Sequence, residues 1–320
     1  MPNVSRVLSY QHLLGDDFVP PTSPQVFFEP ADTETGVWVA SDLLTPGGSV
    51  LDLGSGSGAA AAAMARAGAA RVHGIDSGAQ TVAWARAHYA SASASRNGDG
   101  SGNRPGEGRV TVAQGDFARM TTEELLATAP LPLPRPLVVT SNPPYVPLTL
   151  RADAQRRSIS GGDDGLKWAP AVIGHGRALR SDLGLTIGSY STPRKAVQLL
   201  EAAGYRVHAV TLCPLPLGEF TLANMEQVLA LEEAGEAVLW RAGRGAPAYF
   251  IVGLACRWTG PGRTATGHER LSGDGLLGLL QLAARSRTSR LEALDGPRPD
   301  GWNGRLRVLD LPETTVRHHW

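Results

Sequence analysis

The 320-residue chain predicts an α/β fold, a doubly wound and mostly parallel sheet of seven strands, flanked by a short N-terminal segment and a C-terminal extension. Two observations carry this. Short apolar, β-branched runs alternate strictly with helix-length runs between about residues 46 and 258, the pattern of strands joined by crossover helices. Several of the strand-like runs also end in glycines or an acid, as parallel strands do where they feed a helix.

The elements follow in order. "GSVLDLGSG" reads as a strand ending in glycines and "AAAAAMARAGAA" as an Ala-rich helix. "RVHGID" is a strand ending in an acid, and "AQTVAWARAHYASA" the next helix. Residues 91–108 are polar and Gly-rich without periodicity, and read as a flexible surface loop. "RVTVAQGD" resumes as a strand, "TTEELLATA" as a short helix and "RPLVVTS" as a buried strand. Then come a helix at "APAVIGHGRALRSD", a strand at "LGLTIGSYS", and a helix at "TPRKAVQLLEAAGY" with Pro193 in its first turn and Gly204 past its end. "RVHAVTLCPLP" and "APAYFIVGLACRW" close the sheet. The organisation expected is a segment at 1–45 contributing to the site, a main domain at 46–258, and an extension at 259–320 with one helix at "GLLGLLQLAARS", a possible strand at "RLRVLDL" and no assigned role.

Thirty basic and thirty acidic residues cancel, which removes the long-range field that draws a protein to nucleic acid or anionic membrane. No apolar run approaches the roughly 20 residues of a membrane span, and the N-terminus lacks an apolar signal core, so a cytoplasmic location is expected. Cys213 and Cys256 lie far apart without ligand spacing, and are expected reduced and buried, with no metal site.

Ligands of open α/β sheets bind beyond the carboxyl ends of the strands. The first such end is "LDLGSGSG", with Asp52, Gly54, Gly56 and Gly58; glycines there let backbone approach a ligand and turn tightly into a helix. Asp76, 18 residues after Gly58, can accept from a ribose diol. Asp116 in "QGD", followed by Phe117, stands where an adenine amine could be taken. Each acid alone could equally cap a helix. An acid on the first strand would repel a pyrophosphate but suit the sulfonium and ammonium of S-adenosylmethionine, so the loop favours that cofactor over NAD.

The fourth end is "SNPPYVP", residues 141–147. Two prolines fix two φ angles, and the Asn before them is pushed out of the helical region. "LDLGSGSG", Asp76, "QGD" and "SNPPY", in that order, resemble a Rossmann-like class I S-adenosylmethionine-dependent methyltransferase of the Asn-Pro-Pro-Tyr group. Within it the chain is most similar to the HemK/PrmC-like protein glutamine methyltransferases. "VFFEPADTET" (26–35) resembles the Glu-Pro-Ala-Glu-Asp-Thr segment of one branch, and "SISGGDDGL" (158–166) its Asp-Gly-rich loop. The resemblance covers roughly residues 20–257. It departs in lacking a separate release-factor-binding helical domain, in the longer 91–108 loop, and in the tail.

A planar NH2 presents two donors, and the Asn142 side-chain oxygen with the Pro143 carbonyl can accept both from a rigid corner. As methyl transfer makes the nitrogen positive, both bonds strengthen. Tyr145 can stack on the planar group, which makes Asn142, Pro143 and Tyr145 the candidate catalytic residues. The candidate acceptor pocket adds Pro144, Phe28, Glu29, Asp32 and Thr33 on the first family-like segment, and Asp163 and Asp164 on the second, the two aspartates also suiting a plain turn. Trp38 and Trp168 flank these segments as possible lining. His175 and His208 lack partners at ligand spacing and read as surface or core, and "VRHHW" as a frayed end. The expected reaction is N-methylation, first of a protein glutamine amide as in release factor, with or without an activating partner protein. The alternative is a small-metabolite amide, amidine or guanidine such as arginine. A binding scaffold or a nucleic-acid amine comes last.

Overall fold

The computed structural model describes residues 4–21, 23, 26–89, 109–156, 158–241, 246–261, 270–298 and 301–314. The expected 91–108 loop and the terminal "VRHHW" lie outside the described residues. Within them, one nine-stranded sheet runs in the order β1-β9-β7-β8-β6-β5-β2-β3-β4. The strands are β1 Val4–Val7, β2 Ser49–Leu53, β3 Val72–Asp76, β4 Val110–Gln114, β5 Leu137–Ser141, β6 Asp182–Gly188, β7 Tyr205–Pro216, β8 Ala248–Trp258 and β9 Arg305–Leu309. Strand β8 is antiparallel to both its neighbours, and every other pairing is parallel.

Helices cover both faces. On one lie α1 Pro30–Leu43, α2 Ala59–Arg66 and α3 Ala79–His88, with Val37, Ala61, Val82 and Ala85 packed on β2, β3 and β4. On the other lie α4 Thr122–Ala127, α6 Ala169–Leu179, α7 Pro193–Ala202 and α10 Gly273–Ala283, with Leu125, Val172, Val197 and Leu280 in the main core. The small helices α5 Leu150–Gln155, α8 Glu219–Ala223 and α9 Glu226–Glu233 complete the set.

The expectation of seven strands is corrected to nine. β1 is four residues long, too short to carry a period. β9 reads as polar because Arg305 and Arg307 alternate along it, yet Arg307 is buried: its guanidinium stacks 4.0 Å over Trp38 and reaches Asp42 Oδ2 at 2.8 Å. Leu276, Leu280, Trp302, Leu306 and Val308 of the tail join the main core, and β9 lies in the sheet between β7 and the edge strand β1.

Residues 30–43 are a helix, which the sequence had left as a segment before the first strand. Glu29 caps it by accepting from Ala31 N at 3.2 Å, and Pro30 occupies its first turn, a favoured arrangement. Helix α1 sinks close to the sheet because β8 offers Gly253: a Cβ there would stand 2.4 Å from Val39 Cγ2. That close approach brings the start of α1 to the carboxyl ends of the parallel strands.

Candidate active site

The glycine loop leaves β2 through Gly54 and Gly56, whose φ values of 75° and 54° lie where side chains are strained. Asp76, at the end of β3, ties this turn to the next one: its carboxylate accepts from Gly56 N at 3.0 Å and from Gly78 N at 2.8 Å. Burial pushes its carboxyl up, partly offset by those two amides. Asp52 lies beneath the loop, 4% exposed, accepting from Thr140 Oγ1 at 2.8 Å; burial raises its carboxyl to about 6 despite that bond. Asp116 accepts from Ala118 N at 3.0 Å and faces Arg119 at 3.3 Å. Adjacent strands are in register, Leu53 beside both Ile75 and Ser141, and Ser141 Oγ donates to Leu53 O at 2.7 Å. The strand end that leads into the Asn-Pro-Pro-Tyr corner is therefore bonded to the strand end that leads into the glycine loop.

A cleft of about 880 Å³ opens over these strand ends. One end is walled by Gly54, Gly56, Asp76, Asp116, Phe117 and Trp168, the other by Glu29, Asp32, Asn142, Tyr145, Tyr190 and Tyr249. A smaller cavity of about 50 Å³ continues inward past Asp52, Thr33 and Asn142. At the tyrosine end, Tyr145 donates to Asp32 Oδ2 at 3.1 Å and lies 3.3 Å from the Tyr249 hydroxyl. The rings of Tyr190 and Tyr249 are 4.6 Å apart. Asp32 is 1% exposed; burial lifts its carboxyl to about 6, while the Asn142 side chain and the Tyr145 hydroxyl hold it down. Burial, with the Asp32 charge adding to it and the Ala31 amide opposing it, lifts Glu29 to about 8. Asp32 Oδ1 and Asn142 Oδ1 are buried with no hydrogen-bond partner among the described residues.

The expected residues divide between cleft and scaffold. Gly54, Gly56, Asp76, Asp116, Phe117, Asn142, Pro143, Pro144, Tyr145, Glu29 and Asp32 line the cleft together. Asp52 and Thr33 line only the smaller cavity. Gly58 faces α3, where a Cβ would stand 2.9 Å from Ala85 Cβ. Phe28 is buried in the core, and its neighbour Phe27 lines the cleft instead. Neither Asp163 nor Asp164 lines it: Asp164 accepts from Leu166 N at 2.9 Å and pairs with Lys195 at 2.5 Å, while the Asp163 carbonyl takes Gln227 Nε2. The 158–166 loop still abuts the corner, through Val146 N to Ile159 O at 3.0 Å and Gly161 N to Val146 O at 2.9 Å. Trp168 lines the cleft, whereas Trp38 is turned away beneath Arg307.

Tyr190 and Tyr249 escaped the sequence reading, since single tyrosines on or after late strands carry no local signal. His175 is a bridge, with Nδ1 2.8 Å from Thr122 Oγ1 and Nε2 2.7 Å from the Phe117 carbonyl, which fixes the backbone of a cleft residue. Both cysteines are buried free thiols.

Residues 50–124 match a family model described as a methyltransferase domain. The match spans the glycine loop, Asp76 and Asp116 and ends before Asn142. No curated protein matches the chain. Among solved structures, the chain is similar to a protein of Pyrococcus horikoshii assigned as an RNA methyltransferase, at 13% identity over 78% of this chain and 92% of that one, TM-score 0.42. It is also similar to a precorrin-6y C5,15-methyltransferase of Geobacter metallireducens, at 16% over 77% and 98%, TM-score 0.41. A third is a TehB-like SAM-dependent methyltransferase of Corynebacterium glutamicum, at 10% over 69% and 87%, TM-score 0.36. The matched domain implies S-adenosylmethionine as cofactor, and the glycine-loop end fits it. Gly54 and Gly56 put bare backbone in the wall, Asp76 and Asp116 offer acceptors, and Phe117 and Trp168 offer ring surface. No helix among the described residues is long and apolar enough to cross a membrane.

Proposed function

We propose that this chain is an S-adenosylmethionine-dependent N-methyltransferase acting on a planar nitrogen. The observation that carries this reading is Asn142 Oδ1, a buried acceptor without a partner among the described residues, in the wall shared with the glycine loop. A buried carbonyl oxygen without a donor costs free energy on the order of 1–3 kcal/mol, and an NH2 group entering the cleft supplies the donor. Asp76, Asp116 and the glycine loop would hold the cofactor, which brings an electrophilic methyl group on a cationic sulfur.

The remaining work belongs to this chain's residues. Asn142 Oδ1 and the Pro143 carbonyl accept the two N–H groups of the acceptor, setting the plane of the nitrogen. Positive charge develops on that nitrogen as the new bond forms, so both hydrogen bonds strengthen in the transition state. Asp32, with its carboxyl at about 6, is ionised at neutral pH and stands beside Asn142. It stabilises the developing charge and takes the proton the nitrogen then sheds. The Tyr145 hydroxyl keeps the Asp32 carboxylate fixed.

The acceptors spanned by this reading run from a protein glutamine amide, favoured by the sequence resemblance, to amides, amidines and guanidines of small metabolites. Incubation with methyl-labelled cofactor and either release factor or free glutamine, arginine and related metabolites, followed by mass spectrometry, tests it. Label on nitrogen is expected. Label on carbon or oxygen would overturn the assignment.

A further inference from the structure

The tyrosine end of the cleft holds a buried carboxylate without a cationic partner among the described residues. Asp32 is buried, with one carboxylate oxygen held by Tyr145, the Asn142 side chain beside it, and Oδ1 without a hydrogen-bond partner among the described residues. Among the described residues no Lys, Arg or His lies within ion-pair distance of it. The two basic side chains on the cleft wall are committed elsewhere: Lys167 faces Asp153 at 3.4 Å and lies 5.0 Å over the Trp168 ring, and Arg119 faces Asp116 at 3.3 Å. Buried carboxylates ordinarily carry a cation or a full set of donors. Glu29 adds a second carboxyl to the same wall.

We propose that this end of the cleft is a subsite for a planar cation, a guanidinium or amidinium group, with Asp32 as its counter-ion and Tyr145, Tyr190 and Tyr249 as its walls. This rests on the methyl-transfer reading for what happens to the bound nitrogen, and stands apart from it for what binds. A guanidinium carries five N–H donors in one plane and no acceptor, so it can reach Asp32 Oδ1 and Asn142 Oδ1 together and leave no acceptor of its own unpaired. Aromatic faces attract such a cation. The tyrosine rings supply them, with Tyr145 at 6.1 Å from Tyr190 and 6.4 Å from Tyr249 between centroids. A neutral amide could satisfy the two orphaned oxygens but would leave the Asp32 charge unbalanced. Asp163 and Asp164, outside the cleft, take no part.

The test is calorimetry on the full chain, with and without the demethylated cofactor product, using isosteric pairs that differ in charge. Free arginine is compared with free citrulline, and an arginyl peptide with its citrullyl counterpart, which separates a metabolite from a protein source. The guanidinium member of at least one pair is expected to bind tenfold or more tightly than its urea isostere. Asp32→Asn should remove that preference while leaving the affinities for S-adenosylmethionine and its demethylated product in the same ratio. Equal or tighter binding of the citrulline compounds, binding of none of the four, or a guanidinium preference unchanged in Asp32→Asn would overturn the proposal. So would a loss in Asp32→Asn of affinity for the methyl donor but not for its product, since Asp32 would then serve the sulfonium. If the product fails to bind while the charge preference and its Asp32 dependence persist, the methyl-transfer reading falls and the subsite stands.

Discussion

At the glycine-loop end of the cleft Asp52, Asp76 and Asp116 each meet a donor, from Thr140, from the Gly56 and Gly78 amides, and from Ala118. At the tyrosine end one carboxylate oxygen and one amide oxygen are buried with none among the described residues. The first end is built from strand ends adjacent in the sheet and spans residues 52–118. The second is assembled from contacts such as Tyr145 to Asp32, 113 residues apart, and Tyr145 to Tyr249, 104 apart. An end whose carboxylates all meet donors within the chain is a rigid holder. An end that leaves buried acceptors unpaired gains its hydrogen bonds from what it binds, and that is where a reaction can draw on bonds that strengthen as charge develops.

Breaking the second end should cost turnover most. Asn142→Ala is expected to lower kcat by about 100- to 1000-fold, the range for losing one preorganised transition-state partner, with cofactor affinity little changed. Wild-type turnover in that variant on an identified acceptor would refute the role given to the corner. Breaking the first end should do the reverse. Asp76→Ala removes a charge-assisted partner and is expected to weaken cofactor binding by roughly 10- to 100-fold, while kcat at saturating cofactor is largely retained. An effect on kcat with no change in cofactor Kd would reverse the division between the two ends.

A smaller change sharpens the comparison. The Tyr145 hydroxyl favours the ionised form of Asp32, so Tyr145→Phe raises the Asp32 carboxyl further above about 6. The acidic limb of the pH–rate profile should move to higher pH, and an unmoved limb would take Asp32 out of the chemistry. The least effect is on stability. Glu29 at about 8 and Asp32 at about 6 are both raised on folding, so the folded chain holds more protons than the unfolded one between roughly pH 4 and 8. Their contribution is full below about pH 4 and is lost as pH rises through these values. Glu29→Gln removes one such group, so the fall in Tm between pH 6 and 9 should be shallower by roughly a few degrees. An unchanged slope would argue against a raised carboxyl at Glu29.

The doubly wound core was legible because its signals are local. Each central strand is a short β-branched run, and each of the motifs at Gly54, Asp76 and Asn142 lies within a few residues of its strand's end. The two outer strands beyond β7 were less legible. β1 is too short to carry a period, and β9 hides its buried face behind Arg305 and Arg307, whose charges are balanced by Asp42, 263 and 265 residues away. Asp164 read as a pocket acid until the fold brought Lys195 to it.

The sequence by itself determined the α/β class, the glycine loop with its acids and the rigid Asn-Pro-Pro-Tyr corner, because backbone stiffness, strand period and turn chemistry act over a few residues. Tertiary structure alone decided that α1 would seat against Gly253 and deliver Asp32 beneath Tyr145, that Tyr190 and Tyr249 would close around it, and that Asp163 and Asp164 would be spent on the scaffold. Burial and charge balance depend on which distant side chains arrive at one place, and no stretch of the chain encodes that locally.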